Sequence, residues 1–477
     1  MIETHLYIDG EWCAGSDNGW IEVFDPASEE QIGSLACATP ADLDRAVASA
    51  VRSIGPWSRT SPLARSAILR QTADLLRERR TAIARVMTAE NGKPIAQAEA
   101  EILSAADMIE WFAEEGRRAY GRVIPARSVE ILQMSLRAPV GVVAAFTPWN
   151  FPIIQMVKKL SAALAAGCSV VVKAAEETPA SPAALVRAFH DAGLPPGVLN
   201  LVFGDPAAIS AHLIAHPAVR KISFTGSTAV GRELAALAGR HMKRATMELG
   251  GHAPAIVLAD ADLDRAASLL AQAKFRNAGQ VCISPTRFII EDKVHDAFLE
   301  RLTTEVRNLK LGHGLEPGVT MGPLIHARRR DAVLGLIEDA TARGATLVIG
   351  GRACRNKGHF VEPTVLADVP PNSVALHEEV FGPVALVQRF SGTDQAIALA
   401  NSTNYGLAAY VHGRDAARLS QAIRGIRAGM VAINHNGLAL PETPFGGIGE
   451  SGFGTEGGAE GLEAYLEVKF VSHDPLS

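Results

Sequence analysis

From about residue 138 onward, short runs of β-branched and apolar residues alternate with stretches in which apolar residues recur at helical spacing. Strands and helices that alternate in this way form βαβ units around a parallel sheet. The pattern therefore predicts an α/β fold whose ligands bind beyond the carboxyl ends of the strands. The predicted elements are strand 140–146, helix 153–166, strand 169–173, helix 181–192, strand 198–203, helix 206–215 and strand 221–224.

The same alternation begins again after Gly251, while residues 40–115 are predicted to be helical. A chain of 477 residues is too long for one ordinary core. We therefore expect two α/β domains that meet near Gly250, with a binding cleft between them. The strands predicted for the second domain are 255–258, 286–290, 346–349, 384–387, 408–411 and 430–433.

Composition argues against several classes of protein. Hydrophobic residues make up 48% and charged residues 20%, with a net charge of -5 and no basic stripe, so a nucleic-acid partner is not expected. No apolar run reaches the ~20 residues of a membrane span, and the first residues lack the regions of a signal peptide. The five cysteines are odd in number and widely spaced, which disfavours disulfides and structural zinc and predicts a cytoplasmic location.

Cys282 ends the polar, glycine-containing segment NAGQVC. Most cysteines are buried structural thiols, and the other four are interpreted that way. A carboxylate, Glu248, lies 34 residues upstream beside two glycines. A thiol can attack an electrophilic carbon, and a carboxylate can draw a proton from the water that releases the covalent intermediate. The pair therefore suggests an enzyme with a thioester stage.

Asn150 lies in the segment FTPWNFP, at the end of the first predicted strand. Pro148 and Pro152 restrict the backbone on both sides, so the amide could be held rigidly and donate to a developing oxyanion. The alternative interpretation is a strand-to-helix turn in which Asn150 caps the helix.

Three further segments suit parts of a nucleotide, although each could be an ordinary turn. The segment 224–231 ends a strand and opens a helix whose free N–H groups could hold a pyrophosphate, but it is neither a GxGxxG fingerprint nor a P-loop. Lys173 and the acidic residues at 176–177 could bind ribose hydroxyls or form a solvated loop. The segment 378–383 could hold a second ribose and pack on a flat ring, or form a surface turn.

Together, these segments resemble the NAD(P)-dependent aldehyde dehydrogenase superfamily over essentially the whole chain. MELGG followed by GQVC at this spacing is the most specific part of the resemblance. It implies an aldehyde dehydrogenase-like fold with a Rossmann-like NAD-binding domain, an α/β catalytic domain and a small β oligomerisation element. The matching segments are FTPWNFP, KAAEETP, FTGSTAVG, MELGG, GQVC, EEVFGPV and PFGGIGESGFG.

The resemblance also implies where these parts lie. The NAD-binding domain would comprise residues 1–120 and 137–249, and the catalytic domain residues 250–448. The oligomerisation element would comprise residues 121–136 and 457–477, so a homodimer or homotetramer is expected. Apolar and polar residues alternate at 129–136, which fits a strand with one buried face.

For catalysis, the resemblance implies that Cys282 attacks the aldehyde carbon while the Asn150 amide and the Cys282 N–H hold the oxyanion. Hydride would pass to the nicotinamide, and Glu248 would then activate water to release the acid. CoA-acylating members of the superfamily lack this glutamate, so hydrolysis is expected. No metal is required.

For the cofactor, the resemblance assigns Lys173 and Glu176 to the adenosine ribose and Ser227 to the pyrophosphate. A carboxylate at Glu176 would accept from a free 2′-hydroxyl and repel a 2′-phosphate, so NAD is expected in preference to NADP. Ala174 and Ala229 depart from the Pro and Glu that the family often has, which could alter how the cofactor is held. The other implied cofactor-binding residues are Trp149, Gly226, Leu249, Glu379 and Phe381.

For the substrate, segments 247–254 and 274–288 are similar to bacterial 2-oxoglutarate semialdehyde and succinate semialdehyde dehydrogenases. The resemblance implies that Arg276 binds the remote carboxylate of such a substrate, with Lys158 and Ser284 also in the site; a structural ion pair is the alternative for Arg276. Lys158 keeps the charge of an arginine found in some relatives but loses its fork. An aliphatic or betaine-type aldehyde is an alternative substrate, and a non-catalytic protein that has kept the fold is a more distant alternative.

Overall fold

The computed structural model of the protein describes residues 2–354 and 357–475. The predicted domains also include residues 1, 355, 356, 476 and 477, which lie outside the described residues. No α-helix within 2–354 and 357–475 is both long enough and apolar enough to cross a bilayer. The α-helices are α1 (Pro40–Arg59), α2 (Pro62–Glu78), α3 (Arg80–Asn91), α4 (Ile95–Glu115), α5 (Ile154–Ala166), α6 (Ala180–Asp191), α7 (Pro206–Ala215), α8 (Thr228–Arg240), α9 (Leu263–Phe275), α10 (His295–Arg307), α11 (Ala327–Ala342), α12 (Thr393–Ala400), α13 (Ala416–Gly425) and α14 (Gly458–Glu463).

The strands are short, as is usual in an α/β protein. Short 3-10 helices lie at Gly116–Arg118, Arg276–Gly279, Asp292–Val294 and Val374–Leu376. The strands are β1 (Ile2–Thr4), β2 (Leu6–Ile8), β3 (Glu11–Cys13), β4 (Trp20–Phe24), β5 (Gln31–Ala36), β6 (Arg122–Ile124), β7 (Leu132–Pro139), β8 (Val142–Phe146), β9 (Ser169–Lys173), β10 (Leu199–Val202), β11 (Val219–Thr225), β12 (Arg244–Glu248), β13 (Ala253–Val257), β14 (Pro285–Glu291), β15 (Thr346–Ile349), β16 (Thr364–Ala367), β17 (Val384–Phe390), β18 (Tyr405–Gly406), β19 (Ala408–His412), β20 (Met430–Ile433), β21 (Ile448–Gly449), β22 (Gly452–Phe453) and β23 (Leu466–His473).

The helices around the first sheet begin and end at residues suited to those positions. Helix α1 begins with a capping box, in which the Thr39 hydroxyl accepts from the Asp42 N–H and Asp42 accepts from the Thr39 N–H. The Ser227 hydroxyl caps α8 in the same way by accepting from the Val230 N–H. Helix α5 ends at Gly167, whose φ of 95° lies in the left-handed region that glycine adopts without strain.

The first sheet has the strand order β22-β12-β11-β8-β9-β10-β2-β3. Strands β12, β11, β8, β9 and β10 run parallel, and antiparallel strands lie at both edges. Every residue of β8, β9 and β10 is buried, as in parallel sheets that are covered on both faces. The predicted α/β fold with a parallel sheet is therefore confirmed.

The second sheet has the strand order β15-β16-β17-β14-β13-β19-β20, and only β15 pairs antiparallel. The core on the first sheet takes its buried residues from 6–249 and 462–466, and the cores on the second sheet take theirs from 253–445. The chain therefore passes from one core to the other at Gly250–Gly251. The exact extent of each domain stays a prediction.

The parallel order of β8, β11 and β12 brings distant segments to one edge of the first sheet. The three strands are neighbours in register, so their carboxyl ends lie side by side. Asn150 follows β8, Ser227 follows β11, and Glu248 is the last residue of β12. The sheet therefore gathers the predicted oxyanion donor, phosphate-binding turn and base at the edge where ligands of such sheets bind.

A third, antiparallel sheet has the order β23-β7-β6. The strand predicted at 129–136 begins only at Leu132, because residues 128–131 form a turn closed by the Ile131 N–H and the Ser128 carbonyl at 3.3 Å. Its predicted buried face is not buried within this chain, since Leu136 is 43% exposed and Phe470 on the paired strand is 58% exposed. The prediction was therefore wrong about the residue at which the strand begins. It was also wrong about a buried face within the single chain.

Arg287 joins the second sheet to the helix that packs against it. Its side chain is buried, and its guanidinium donates to the carbonyl of His252 at 2.9 Å, of Leu399 at 2.8 Å and of Ala400 at 2.9 Å. The last two carbonyls lie at the carboxyl end of α12, where the helix dipole favours a positive charge. These hydrogen bonds take the place of a carboxylate partner.

We expect Arg287→Met to lower the free energy of unfolding by about 3 kcal/mol, because it removes three hydrogen bonds that a buried guanidinium donates to backbone carbonyls. The urea midpoint, measured at a fixed protein concentration, checks this prediction. Arg414→Met is the control, since Arg414 is exposed and forms no ion pair among the described residues. Equal midpoints for the two variants would contradict the assigned role.

Candidate active site

The loop that carries Cys282 has an unusual backbone. It follows α9, and three successive residues have positive φ angles: 48° at Asn277, 52° at Ala278 and 72° at Gly279. A Cβ atom on Gly279 would lie only 2.1 Å from the carbonyl oxygen of Gly382, so no other residue fits there. Left-handed backbone in non-glycine residues persists only where the surroundings enforce it, and such strain is concentrated at functional sites.

Asn150 is held from its backbone as well as its side chain. Its carbonyl accepts from the Lys93 ammonium at 2.8 Å and from the Asn277 amide at 2.9 Å. Its own side-chain amide donates to the Gln280 carbonyl at 3.0 Å, which leaves a second amide hydrogen. Asn150 lines the same cavity as Cys282, so the free N–H can donate to a ligand there.

Glu248 is 2% exposed, and neither of its carboxyl oxygens has a hydrogen-bond partner among the described residues. Burial raises the pKa of Glu248 well above its ordinary value, and the nearby Glu456 carboxylate raises it further. The ammonium groups of Lys158 and Lys159 oppose this shift. A carboxyl group with a raised pKa can act as a proton acceptor close to neutral pH.

Glu456 and Lys159, which lie far apart in the sequence, form an ion pair close to Glu248. The two side chains are 2% and 0% exposed, and the Lys159 ammonium also donates to the Thr225 hydroxyl at 2.7 Å. Ser223 donates to the same Glu456 carboxylate at 3.1 Å. Sequence reasoning missed Glu456 because it stands in a glycine-rich connector without any motif of its own.

The Cys282 thiol is not activated in the free protein. Although part of its surface is accessible, burial raises the pKa of Cys282 to about 12. The Lys158 ammonium lowers the pKa, while the Glu379 and Glu248 carboxylates raise it. The thiol is therefore protonated at neutral pH until the surroundings change.

The first cavity, of about 480 Å³, contains Cys282 and most of the predicted cofactor-binding residues. Phe381 adopts a φ of 42° and packs edge-on against Trp149, with ring centroids 5.6 Å apart. Glu379 accepts from the Gly251 N–H at 2.9 Å, and burial raises its pKa to about 7. The predicted residues in this cavity are Trp149, Asn150, Gly226, Ser227, Leu249, Cys282, Glu379 and Phe381.

A second cavity of about 510 Å³ shares Thr225 with the first. Lys173 lines it and forms an ion pair of 2.5 Å with Glu176. Gly226 and Ser227 stand at the junction, before the free N–H groups of α8. An ion pair for ribose hydroxyls, a helix amino terminus for phosphate and two adjoining cavities fit a dinucleotide.

A third cavity, of about 280 Å³, shares Cys282 and Gln155 with the first. Lys158 is buried in its wall, with the ammonium 3.2 Å from the centroid of the Phe445 ring. Arg276 is exposed in the same wall, with its guanidinium 5.1 Å from the centroid of the Phe151 ring. The cavity therefore presents two cations and two aromatic rings to a ligand that reaches Cys282.

The cations of this cavity are not neutralised by close partners. Among the described residues, neither Arg276 nor Lys158 forms a salt bridge, so the structural ion pair considered for Arg276 is absent there. Burial lowers the pKa of Lys158, while the Glu456, Glu248 and Cys282 charges raise it. Both cations are thus available to an anionic ligand.

Among the predicted site residues, Glu176 and Glu248 line none of the three cavities, and neither does Ser284. Ser284 is buried, and its hydroxyl donates to the Lys274 carbonyl at 3.4 Å. Conversely, sequence reasoning missed Gln155, which lines two cavities. The available signal was a glutamine five residues after Asn150, in the first turn of an otherwise apolar helix.

The profile of the aldehyde dehydrogenase family matches residues 12–471. A 4-(hydroxymethyl)benzenesulfonate dehydrogenase of Comamonas testosteroni is 46% identical over 98% of both chains. An NADP-dependent succinate-semialdehyde dehydrogenase of Escherichia coli is 43% identical over 99% of this chain and 98% of the relative. The crystal structure of succinate-semialdehyde dehydrogenase from Burkholderia pseudomallei superposes with a TM-score of 0.97 at 42% identity, over 99% of this chain and 98% of the other.

The family match covers nearly the whole chain, and the relatives agree with it along their full length. The fold is the one that the sequence resemblance implied. The chain belongs to the aldehyde dehydrogenase family.

Proposed function

We propose that this aldehyde dehydrogenase prefers NAD and oxidises a carboxylated semialdehyde to the acid, with 2-oxoglutarate semialdehyde and succinate semialdehyde as the candidate substrates. The observation that carries the proposal is the third cavity, in which two unpaired cations, Lys158 and Arg276, share a wall with the Cys282 thiol. A substrate with an aldehyde at one end and an anion at the other matches both ends of this cavity.

The reaction follows from the residues around the thiol. Cys282 Sγ gives its proton to solvent water and bonds to the aldehyde carbon, and the oxyanion that forms accepts hydrogen bonds from the free Asn150 amide hydrogen and the Cys282 N–H. A bound nicotinamide would accept the hydride from this carbon. The resulting thioester on Cys282 is attacked by water, which gives its proton to Glu248; the carbon–sulfur bond breaks and the acid leaves.

The Gln155 amide supports 2-oxoglutarate semialdehyde over succinate semialdehyde. Gln155 is 4% exposed and lines both the first and the third cavity. Its side-chain NH2 group can donate a hydrogen bond to a 2-oxo oxygen. The succinate semialdehyde chain has only methylene groups between its two ends and offers no such acceptor.

A sulfonated aldehyde is the second candidate substrate. One relative acts on a benzenesulfonate, and the Phe151 and Phe445 rings could pack against an aromatic substrate. A sulfonate has three charged oxygens, which suit two separate cations such as Lys158 and Arg276. An aliphatic or betaine-type aldehyde has no group that would pair with either cation, and a non-catalytic role would leave the thiol, amide and carboxylate unexplained.

Glu176 supports NAD as the preferred cofactor. Its ion pair with Lys173 presents a carboxylate oxygen and an ammonium to the ribose hydroxyls. A 2′-phosphate would bring a second negative charge to the same carboxylate. A relative uses NADP. We therefore attribute the proposed preference for NAD to Glu176 and not to the family as a whole.

We also propose a cytoplasmic homodimer or homotetramer. Cys13, Cys37, Cys168 and Cys282 are free thiols, which suits a reducing compartment. The sheet of β6, β7 and β23 exposes Val123 (76%), Val468 (60%) and Phe470 (58%), and an apolar sheet of this kind is stabilised when a second copy covers it. The same sheet includes most of the segments that the resemblance assigns to oligomerisation.

We expect Arg276→Gln to lower kcat/KM for 2-oxoglutarate semialdehyde and succinate semialdehyde about 10- to 100-fold, because a charge-assisted hydrogen bond contributes about 1.5–3 kcal/mol. The value for the uncharged butanal should stay unchanged. NADH absorbance measures both. Arg307→Gln is the control, since Arg307 is exposed on α10, which lines none of the three cavities. An equal loss for butanal would contradict the proposal.

We expect Glu176→Gln to raise the ratio of kcat/KM with NADP to that with NAD about tenfold, because it removes a charge worth about 1.4 kcal/mol of repulsion. Steady-state rates with saturating aldehyde check this ratio. Glu177→Gln is the matched control, as the neighbouring carboxylate forms no ion pair among the described residues. An unchanged ratio for Glu176→Gln would show that the selectivity lies elsewhere.

We expect alkylation of Cys282 by iodoacetamide in the free enzyme to accelerate about tenfold per pH unit from pH 7 to 10, because the thiolate fraction rises with pH below a raised pKa. Mass spectrometry of the labelled peptides separates Cys282 from the other thiols. Lys158→Met should slow the reaction at pH 7, since it removes the cation that lowers the pKa of Cys282. A rate that is constant below pH 9 would be inconsistent with a protonated thiol.

A further inference from the structure

The backbone carbonyls of Trp149 and Asn150 accept hydrogen bonds from a turn in a different part of the chain. Asn91 ends α3, and its side-chain amide donates to the Trp149 carbonyl at 2.9 Å. Two residues later, the Lys93 ammonium donates to the Asn150 carbonyl at 2.8 Å. Gly92 between them has a φ of 88°, and a Cβ atom there would lie 2.7 Å from the Pro323 ring. Only glycine lets this turn present both donors at once.

Lys93 pairs with the buried carboxylate of Glu101, which also binds the backbone that follows Asn150. Its ammonium lies 2.6 Å from a carboxylate oxygen of Glu101, and the two side chains are 0% and 1% exposed. The other oxygen of Glu101 accepts from the N–H groups of Ile153 at 3.0 Å and Ile154 at 3.2 Å, where α5 begins. The pair therefore holds the chain on both sides of the Phe151–Pro152 dipeptide.

Fold stability alone does not account for this pair. Taking two charges out of water costs several kcal/mol per ion, and buried ion pairs can often be replaced by apolar residues without loss of stability. The pair can instead fix the position of the groups that it binds, because an ammonium and a carboxylate hold hydrogen-bonding groups at defined distances. Here those groups belong to the backbone on either side of the oxyanion donor.

We propose that Lys93 and Glu101 are positioning residues that hold the Asn150 amide where it can donate to the oxyanion on the substrate. The proposal rests on the proposed function, since it concerns the same reaction. Neither residue touches the reacting atoms; both act through Asn150. A displacement of about 1 Å in a catalytic group can cost about 100-fold in rate, so loss of the grip should be visible in the kinetics.

Loss of the pair should affect oxyanion stabilisation but not the other functions of the site. That loss should slow the oxidation of an uncharged aldehyde, because the oxyanion is common to all aldehydes. Glu101 also lines the third cavity, so for an anionic substrate the loss of its charge would act in addition. Alkylation of Cys282 and binding of NAD should be unchanged, since neither uses the Asn150 amide hydrogen. A general disturbance of the site would alter all three.

The test compares Lys93→Met/Glu101→Met with the wild-type enzyme. The double variant removes both charges together, so it leaves no unpaired ion in the core and should keep a urea midpoint near that of wild type. We expect kcat/KM for butanal, which carries no charge that could respond to the loss of Glu101 from the third cavity, to fall about 100-fold. Lys221→Met is the control, because Lys221 is also a buried lysine, bonds to the Thr246 hydroxyl at 2.6 Å and lines none of the three cavities.

A cycle with Asn150→Ala makes the test specific. If the pair acts through Asn150, the double variant should lower kcat/KM about 100-fold in the wild-type background and hardly at all in the Asn150→Ala background. Equal losses in both backgrounds, or a loss below threefold in wild type, would overturn the proposal. So would a parallel loss of NAD affinity, measured by fluorescence titration, and of the Cys282 alkylation rate.

Failure of the proposed function would give a different result. If Asn150→Ala by itself leaves aldehyde oxidation unchanged, Asn150 is not the oxyanion donor and the proposed mechanism fails. If Asn150→Ala is slow while Lys93→Met/Glu101→Met is fast, the mechanism stands and only the positioning role is wrong.

Discussion

The parallel pairing of β8, β11 and β12 is the constraint on which the rest of the structure depends. Parallel neighbours end at the same edge of a sheet, so residues far apart in the chain are brought to one place. Asn150, Ser227 and Glu248 follow or end these three strands. Cys282 reaches them from the second sheet, after the chain crosses at Gly250–Gly251. The proposed catalytic groups thus belong to two cores and meet where those cores adjoin.

Burial controls the chemistry of these groups. Loss of hydration raises the pKa of both Cys282 and Glu248, so the free enzyme holds its nucleophile as a protonated thiol and its carboxyl group as a stronger base. The buried ammonium groups of Lys158 and Lys159 oppose that effect and keep the shifts from being larger. The same Lys158 charge is open to the third cavity, where an anionic substrate would neutralise it. Under the proposed function, substrate recognition and thiol activation would therefore be electrostatically linked through Lys158.

Backbone geometry adds a second layer of control around the reacting atoms. The left-handed residues 277–279 and Phe381 bring the thiol loop and an aromatic wall close together, and the Gly382 carbonyl contacts the loop where only glycine fits. Opposite this loop, the turn at 91–93 grips the peptide of Asn150. Rigid support on both sides is what an oxyanion donor requires, because a hydrogen bond that is strained or misplaced contributes little to the transition state.

Local sequence determined the alternation of strands and helices, the special character of Cys282 among five cysteines, and the roles of Asn150, Glu248 and the cofactor segments as hypotheses. These properties depend on short motifs and on hydrophobic periodicity, both of which are local features of the sequence. It did not reveal β12, whose polar sequence RATME lacks a strand-like run, nor the later start of β7. Only the tertiary structure decided that Lys93, Glu101, Gln155 and Glu456 surround the site, and that Ser284 does not reach a cavity wall. Their partners lie far away in the chain, and burial, pairing and pKa depend on which side chains the fold brings into contact.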